Sequence, residues 1–380
     1  MFFQEVCLYS LREMVKNGEK HIFCFGSGKA FDNFFNEFAQ YDLLKYVKAI
    51  ADNKYREKEY GTKNIQNITV PIISTEQMVH DISDEDIILI TTAAYQEVIS
   101  QLEQIDKLKN MKYCLYFLLR IKQYDHDRLL IPVPAKLSIY NDTRIPKTIH
   151  YCWFGKKEIP TQYKKWMESW KKYCPDYQII EWNESNYDVH KNRYISEAYE
   201  KEKWAFVSDY VRIDVVNEYG GVYFDTDIEL LKNIDELLMN DAFCGFESPD
   251  YVAFGLGFGA VKGNRLLAEI KKYYDNTGFI LENETLNLKT CPIVQTEVLK
   301  QYGLKCDGTF QIVDGMTVLP SRILCGMSPH SFRVEKNPVC TYAIHHYAAS
   351  WSDSSLYDYK QFIYSCLKQE KDDDGYCYME

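Results

Sequence analysis

The chain has 380 residues, 46% of them hydrophobic, which is enough for two domains with cores of their own. Its formal charge of −11 argues against a nucleic-acid partner, because such binding depends on neutralising phosphates. The 12 cysteines are scattered without a CxxC pair, the N-terminus lacks a signal-peptide pattern, and no apolar run reaches the roughly 20 residues of a membrane span. We therefore expect a cytoplasmic protein with free thiols. Peripheral membrane association and homo-oligomer formation stay open.

Residues 1–130 are predicted to form a small Rossmann-like α/β accessory domain. Apolar and amphipathic segments alternate along it, with strands expected over 21–25, 47–51, 87–91 and 113–119 and helices over 3–16, 29–39 and 96–108. Such alternation is typical of a parallel sheet.

A glycine-rich loop, Gly26-Ser27-Gly28, follows the first of these strands, and Asp52 follows 24 residues later. Dinucleotide-binding folds place a ribose-binding acid at about this spacing. The third glycine of that motif is missing, because the chain continues Lys29-Ala30-Phe31. We therefore favour a structural or oligomerising role for this domain over nucleotide binding.

Three prolines between residues 131 and 146 interrupt regular structure and predict a domain linker. A second domain is expected over 147–368, with strands at 147–154 and 177–182. A helix carrying Trp166 and Trp170, a long helix over 197–219 and a last helix over 356–367 complete it. Residues 369–380 are acidic and are expected to form a flexible tail.

Four Asp-x-Asp patterns occur, at 84/86, 125/127, 225/227 and 372/374. The pair Asp225 and Asp227 stands apart because it follows a glycine stop and the apolar run Val222-Tyr223-Phe224. A strand would point both side chains to the same side. Two such carboxylates repel each other, and Mg²⁺ or Mn²⁺ would relieve that repulsion while binding substrate phosphates.

The helix before this pair adds Asp209 and Arg212, which lie three residues apart and so share one helix face. A surface ion pair would explain them equally well in isolation. Their position one helix before a metal-type carboxylate pair favours a functional role.

Residues 208–212 together with 220–227 resemble the sugar-binding DxD region of family 32 glycosyltransferases, which include bacterial capsular polysaccharide enzymes. The resemblance covers about residues 145–352, with further blocks at 145–155, 169–182 and 344–351. It implies a GT-A type Rossmann-like fold. The activity it implies is metal-dependent transfer of a hexose from a UDP- or GDP-sugar, with retention of configuration, to a glycan or lipid-linked saccharide.

The resemblance also implies a role for each matching residue. Asp227 would bind the metal, Asp225 the metal or the ribose, Asp209 and Arg212 the donor sugar, Trp153 the base, His346 the metal, and Ser350 and Trp351 the diphosphate. Consecutive strand residues face opposite ways, so at most one of His345 and His346 reaches a metal, and the resemblance favours His346. The chain departs from the family pattern at Phe254-Gly255-Leu256 and at Cys291, near the expected acceptor side.

Three alternatives stay open at this point. A haloacid-dehalogenase phosphatase also places Asp-x-Asp after an apolar strand, but Glu229 stands where it needs Thr or Val. A non-catalytic nucleotide-sugar scaffold and a toxin-like enzyme with a protein acceptor are the other two.

Overall fold

A computed structural model describes residues 2–3, 7–16, 20–55, 61–336, 338–348, 354–367 and 376–377, in two compact units, Met1–Asp127 and Arg128–Glu380. Residues 131–146, which we expected to be a linker, are part of the second unit. Leu137 and Ile145 are buried in its core, and the Ile139 N–H donates to Asn240 Oδ1 at 3.0 Å. The prolines interrupt regular structure here, but apolar residues between them anchor the segment.

The first unit is an α/β domain around a seven-stranded sheet in the order β1-β7-β6-β2-β3-β5-β4. All neighbouring strands are parallel except the β4–β5 pair. The elements are β1 (Phe2–Phe3), α1 (Leu8–Val15), β2 (Ile22–Phe25), α2 (Lys29–Glu37), β3 (Val47–Ala51), β4 (Thr62–Ile65), β5 (Ile68–Ile73), α3 (Thr75–Asp81), β6 (Ile87–Ile90), α4 (Tyr95–Glu103), β7 (Lys112–Leu115) and α5 (Tyr116–Leu130), whose last three residues are assigned to the second unit.

The predicted strands over 21–25, 47–51 and 87–91 correspond to β2, β3 and β6, and every residue of β2 and β6 is buried, as in a sheet covered on both faces. The predicted strand over 113–119 ends early, because α5 begins at Tyr116. The β4–β5 hairpin was not predicted. Its turn places Gln66 and Asn67 at φ values of 51° and 62°, the left-handed geometry of a two-residue hairpin loop.

Asp52 is held by the glycine loop of its own unit. Its Oδ2 accepts a hydrogen bond from the Ser27 N–H at 3.0 Å and another from the Ser27 hydroxyl. Lys63 Nζ donates to the Ser27 carbonyl at 2.7 Å and pairs with Asp32. Asp52 is thus hydrogen-bonded to the glycine loop, and Lys63 joins the same loop to Asp32.

The second unit is built on an eight-stranded sheet with the order β15-β16-β12-β14-β10-β8-β9, to which β13 adds by pairing with β12. Two small sheets, β11–β18 and β17–β19, complete it. Its elements are β8 (Thr148–Cys152), α6 (Thr161–Tyr173), β9 (Gln178–Trp182), α7 (Arg193–Glu200), α8 (Trp204–Tyr219), β10 (Gly221–Tyr223), β11 (Ile228–Leu230), β12 (Ala242–Ser248), β13 (Tyr251–Val252), β14 (Phe258–Ala260), α9 (Arg265–Asp275), α10 (Cys291–Gln301), β15 (Gln311–Val313), β16 (Met316–Leu319), α11 (Ser321–Leu324), β17 (Val334–Glu335), β18 (Ala343–His345), α12 (Ser354–Leu367) and β19 (Tyr376–Cys377).

The single helix predicted over 197–219 is two helices, α7 and α8. The chain breaks between them at Glu202, whose φ of 55° lies in the left-handed region and cannot continue a right-handed helix. The expected flexible tail contains Tyr376 and Cys377, which form β19 against β17, and its other residues lie outside the described part of the chain.

The sheet of the second unit is covered by apolar clusters on both faces. One cluster joins it to α7, α8, α9 and α10, and the other joins it to α6 and α11. The predicted α/β fold class is confirmed. Across the ranges described, we find no helix with the length and apolar character needed to span a membrane.

Asp214, on the buried helix α8, accepts from three donors: Lys191 Nζ at 2.5 Å, Lys271 Nζ at 2.7 Å and the Tyr187 hydroxyl at 2.5 Å. Burial works to raise the pKa of Asp214, but these donors outweigh it and lower that pKa. We expect Asp214→Asn to reduce the free energy of unfolding by about 3 kcal/mol at pH 7, because it leaves the lysines without their buried partner.

The lowered pKa sets the pH dependence of this effect. Stability from Asp214 is present above the unfolded pKa of about 3.9 and is lost as the pH falls through the folded pKa. The difference between wild type and Asp214→Asn in urea unfolding is therefore expected to shrink in acid. The matched control is Glu218→Gln, which faces the same Lys191 at 3.7 Å with an exposed side chain, and should cost under about 0.5 kcal/mol. Equal costs for the two variants would contradict the prediction.

Candidate active site

The ends of several strands lie together at one edge of the eight-stranded sheet in the second unit. β8 is parallel to its two neighbours, β9 and β10, and β12 is parallel to β16. Because β10 and β12 are both antiparallel to β14, they run in the same direction. The carboxyl ends of all five strands therefore meet at one edge, which is where open α/β sheets bind ligands.

The carboxylate pair lies at this edge in a turn. β10 ends at Tyr223, and the Ile228 N–H donates to the Asp225 carbonyl at 3.1 Å, so residues 225–227 form a tight bend into β11 and not a continuing strand. The expected strand geometry for the pair was wrong. Both side chains nevertheless reach one cluster, because the bend turns the chain back toward the sheet edge.

His345 completes this cluster. Among the described residues, one oxygen each of Asp225 and Asp227 and one nitrogen of His345 lie within 4.8 Å of one another. His345 Nε2 is 3.3 Å from Asp227 Oδ1, and its Nδ1 is buried with no hydrogen-bond partner among the described residues. Two carboxylate oxygens and an imidazole nitrogen are ligands that Mn²⁺ accepts, so the residues fit a divalent metal.

His346, which we expected as the third ligand, faces away from the cluster. Its Nε2 is 2.8 Å from Glu229 Oε2, and its ring stacks on Trp166 with centroids 4.0 Å apart. The reason is strand register: β18 pairs with β11 so that His345 lies opposite Ile228, next to Asp227, and the following residue points to the other side. His345 therefore replaces His346 in the candidate metal set.

Arg212 connects the helix and the bend. Its Nη2 is 3.2 Å from Asp209 Oδ1 and 3.1 Å from Asp225 Oδ1, and only 4% of the residue is exposed. The Tyr223 hydroxyl also donates to Asp225 Oδ1 at 2.9 Å. Asp209 and Arg212 therefore pair on one face of α8, as predicted. The pair is buried beside Asp225 and is not a surface ion pair.

Gly255 allows Asp225 to take this position. A Cβ at Gly255 would lie 2.5 Å from Asp225 Oδ2 and 3.1 Å from Arg212 Nη1. The Gly255 carbonyl also accepts from the Asp225 N–H at 3.4 Å. The departure from the family pattern at residues 254–256 therefore packs directly on the carboxylate.

Each carboxylate of the pair has a positive partner of its own. Burial raises the pKa of Asp225 in spite of Arg212. Burial also works to raise the pKa of Asp227, but the charge and hydrogen bond of His345 and the Ala348 N–H hold it at about 2. Burial works to lower the pKa of His345, but the charge and hydrogen bond of Asp227 have the larger effect, so the pKa of His345 is raised. A metal that binds here must displace the His345 proton, so affinity falls with decreasing pH.

Trp153, the residue expected to contact the base, follows β8 at the same edge. It lines a cavity of about 480 Å³ together with Lys156, Lys157, Glu181, Asn183, Glu184 and Ser185. Its Nε1 donates to the Lys157 carbonyl at 2.6 Å, and its ring meets Tyr163 edge-on at 6.0 Å. The cavity adjoins the carboxyl ends of β8 and β9.

Ser350 and Trp351, expected on the diphosphate, lie outside the described residues. The residues just before them, His346 to Ala348, are held by hydrogen bonds. Ala348 donates to Asp227, and Lys360 of α12 donates to the backbone carbonyls of His346 and Tyr347.

The sequence did not single out Tyr223 or Glu247, which lie at the same edge, and it named Gly255 only as a departure from the family pattern. Tyr223 could have been found from its place two residues before Asp225, where a strand side chain faces the same way. Gly255 and Glu247 carry no such signal, because their proximity depends on the pairing of β12 and β14.

The two histidines give a direct test of the corrected metal set. We expect His345→Ala to weaken Mn²⁺ binding at least about tenfold, since the loss of even an outer-shell partner costs 10- to 100-fold. His346→Ala, in the neighbouring position, should change the affinity less than threefold. Calorimetric titration with Mn²⁺ measures both, and the reverse ranking would restore His346 as the ligand.

Comparison with known proteins agrees with this geometry. Residues 160–244, which include the Asp225/Asp227 pair, match the model of the glycosyltransferase sugar-binding region containing a DXD motif. The chain is 30% identical over 164 residues to mannosyl phosphorylinositol ceramide synthase SUR1 of Saccharomyces cerevisiae, covering 42% of each protein. It is 29% identical over 161 residues to inositol phosphoceramide mannosyltransferase 3 of Schizosaccharomyces pombe, covering 39% of this chain and 42% of that one. Matches thus span about two fifths of these relatives.

Among solved structures, PaToxG glycosyltransferase superposes with a TM-score of 0.33 and 18% identity, covering 49% of this chain and 75% of that one. The family match and the mixed α/β architecture agree with a GT-A-like domain, and they leave the phosphatase alternative without support. Residues 160–244, which contain Asp225 and Asp227, are therefore similar to a glycosyltransferase sugar-binding region, and the matches support a transferase.

Proposed function

We propose that this protein is a metal-dependent, retaining hexosyltransferase that uses a nucleotide-diphosphate sugar as donor. The observation that carries the proposal is the cluster of Asp225, Asp227 and His345 at a strand-end edge, with Arg212 3.1 Å from Asp225. Two carboxylates and an imidazole suit a divalent cation, and a guanidinium beside them suits phosphate oxygens. An intact set of this kind argues against a non-catalytic scaffold.

In this proposal each side chain has a separate role. Asp209 accepts hydrogen bonds from hydroxyls of the donor sugar, and Arg212 stabilises negative charge that develops on the departing diphosphate. Trp153 stacks on the nucleotide base at the end of β8. A bound Mn²⁺ or Mg²⁺ would supply Lewis-acid stabilisation of the same diphosphate. No protein nucleophile is assigned, because the acceptor hydroxyl can attack from the face that the diphosphate leaves.

For the acceptor we propose a glycan or a lipid-linked polyhydroxyl group, and for the setting the synthesis of capsular or surface polysaccharide. The names of the two fungal relatives refer to the addition of mannose to inositol phosphoceramide. These names support a lipid-linked acceptor and mannose as the donor sugar. The resemblance of the DxD region to capsule enzymes supports the setting. A cytoplasmic location, peripheral at the inner face of the membrane, fits such an acceptor.

A donor panel tests this function. The purified chain is incubated with UDP-glucose, UDP-galactose, UDP-N-acetylglucosamine and GDP-mannose in Mn²⁺, and released nucleoside diphosphate is measured. We expect release from one donor class, its loss in EDTA and, with a methyl glycoside present as acceptor, an α-linked product from an α-linked donor by NMR. Absence of release from every donor would contradict the proposed function, and release unaffected by EDTA would contradict the metal requirement.

A further inference from the structure

A short segment, Phe254–Leu256, lies against the Asp225 carboxylate, and helix α10 holds that segment in place. The Phe254 N–H donates to Gln295 Oε1 of α10 at 3.0 Å, and both residues are fully buried. The next residue, Gly255, uses its carbonyl to accept from the Asp225 N–H at 3.4 Å. Gln295 is thus connected to the first aspartate of the DXD motif by two hydrogen bonds and the segment between them.

The contact between Gly255 and Asp225 is close enough to transmit a small displacement. Asp225 Oδ2 lies 2.5 Å from the point that a Cβ at Gly255 would occupy, and Arg212 Nη1 lies 3.1 Å from that point. Since protein interiors are close-packed, a segment that moves toward these groups must push one of them aside. The place of Asp225 beside Arg212 therefore depends on what holds the segment.

The same helix also contacts Arg212 directly. Cys291 precedes Gln295 by four residues on α10, so the two side chains lie on one face of the helix. The Cys291 Sγ is 3.9 Å from Arg212 Nη1, whereas Arg212 Nη2 pairs with Asp225 Oδ1 at 3.1 Å. One face of α10 thus supports both partners of the Arg212–Asp225 ion pair.

Gln295 is an unfavourable residue for its surroundings in one respect. Its Nε2 is buried with no hydrogen-bond partner among the described residues. An unpaired buried amide N–H destabilises a fold, and such groups are few in native proteins. An apolar side chain would avoid that cost, but it would leave the Phe254 N–H without its acceptor. Local costs of this kind are expected where a residue serves a functional site.

We propose that Gln295 is a positioning residue of the transferase. By accepting from Phe254 it holds Gly255 against Asp225, and so it sets the place of that carboxylate beside Arg212. The inference rests on the proposed function, in which Asp225 contacts the metal or the donor. Gln295 acts only through the segment, so its loss should weaken metal binding and turnover together.

Thr296 offers a matched control, because it makes the same kind of contact from the next position of α10. Its Oγ1 accepts from the Val252 N–H at 3.0 Å, and Thr296 is also buried. Val252 lies three residues before Gly255 and makes no contact with Asp225 within the part of the chain that the structure describes. Gln295→Met and Thr296→Val each remove one buried acceptor, so both should lower Tm by similar amounts.

The test measures Mn²⁺ affinity by calorimetric titration without donor, and hydrolysis of the donor identified by the panel in saturating Mn²⁺. We expect Gln295→Met to weaken Mn²⁺ binding at least about tenfold, as is usual when a residue that orients a metal ligand is lost. Its kcat should also fall at least about tenfold, because a misplaced Asp225 disturbs the geometry of the bound donor. Thr296→Val should change both quantities less than threefold.

Equal effects of the two variants on Mn²⁺ affinity and kcat would overturn the inference, since Gln295 would then act through stability alone. A wild type that binds no Mn²⁺ and releases no nucleoside diphosphate would instead contradict the proposed function. If Gln295→Met does not fold, Gln295→Asn replaces it. That variant keeps the amide but shortens its reach by one methylene, and Mn²⁺ binding within threefold of wild type would then count against the inference.

Discussion

Asp227→Ala is expected to lower sugar transfer by about 10³-fold, equivalent to about 4 kcal/mol of transition-state stabilisation. Asp227 is 8% exposed, its Oδ1 is 3.3 Å from His345 Nε2, and its Oδ2 accepts from the Ala348 N–H at 2.9 Å. The substitution thus removes a metal ligand. It also releases His345 and the segment that follows β18.

The measurement is release of nucleoside diphosphate in saturating Mn²⁺, paired with calorimetric Mn²⁺ titration at several pH values. Wild-type Mn²⁺ affinity should fall as the pH decreases through the raised pKa of His345, whereas Asp227→Ala should bind weakly throughout. Asp84→Ala serves as control, because Asp84 belongs to another Asp-x-Asp pattern and is exposed. An Asp227→Ala enzyme with near wild-type turnover in metal-free buffer would refute the metal role.

Arg212→Ala is expected to cost about 3–5 kcal/mol of unfolding free energy at pH 8, as well as nearly all activity. The guanidinium is the cation shared by Asp209 and Asp225, and its removal leaves one buried and one partly buried carboxylate without a counter-charge. Burial already raises the pKa of both aspartates, and loss of the arginine raises both further.

The sign of the pH dependence follows from those raised pKa values. Below the unfolded pKa of about 3.9 the aspartates are protonated in both states, and the penalty from their charge is absent. It grows as the pH rises toward the folded pKa. The gap in Tm between wild type and Arg212→Ala should therefore be smaller at pH 5 than at pH 8, and an equal gap at both values would contradict this account.

Arg212→Lys separates folding from catalysis. A lysine keeps the charge and so most of the stability, but it cannot bridge two carboxylates with a planar fork, and kcat should still fall at least about 100-fold. The control is Arg265→Ala, because Arg265 pairs with Asp314 on the surface with 67% of its side chain exposed. That variant should change stability by less than about 1 kcal/mol.

Local sequence patterns were sufficient to predict many of the helices and strands. The strand predicted over 47–51 coincides with β3, the helix around Trp166 and Trp170 is α6, and the glycine stop at 220 ends α8. Apolar runs and glycines determine the secondary structure of the few residues around them. These signals can therefore be read directly from the sequence. The split between α7 and α8 at Glu202 was missed, because no glycine or proline marks it.

The site depended more strongly on contacts between distant residues. Asp209, Arg212, Asp225 and Asp227 were predicted from motif and spacing, and the structure places them together. The third member of the cluster was not predicted correctly, because the choice between His345 and His346 is set by the register of β18 against β11. No pattern within residues 343–348 encodes a register to a strand more than 110 positions earlier.

The pairing of β11 with β18 also bears on the order in which a growing chain can gain activity. Asp225 and Asp227 are synthesised early, but His345 is added 118 residues after Asp227. At the usual rate of about 5–20 residues per second, a nascent chain carries the two aspartates for roughly 6–24 seconds before the histidine exists. During that interval Asp225 and Asp227 lack His345, so the candidate metal set is complete only after residue 345 has been added.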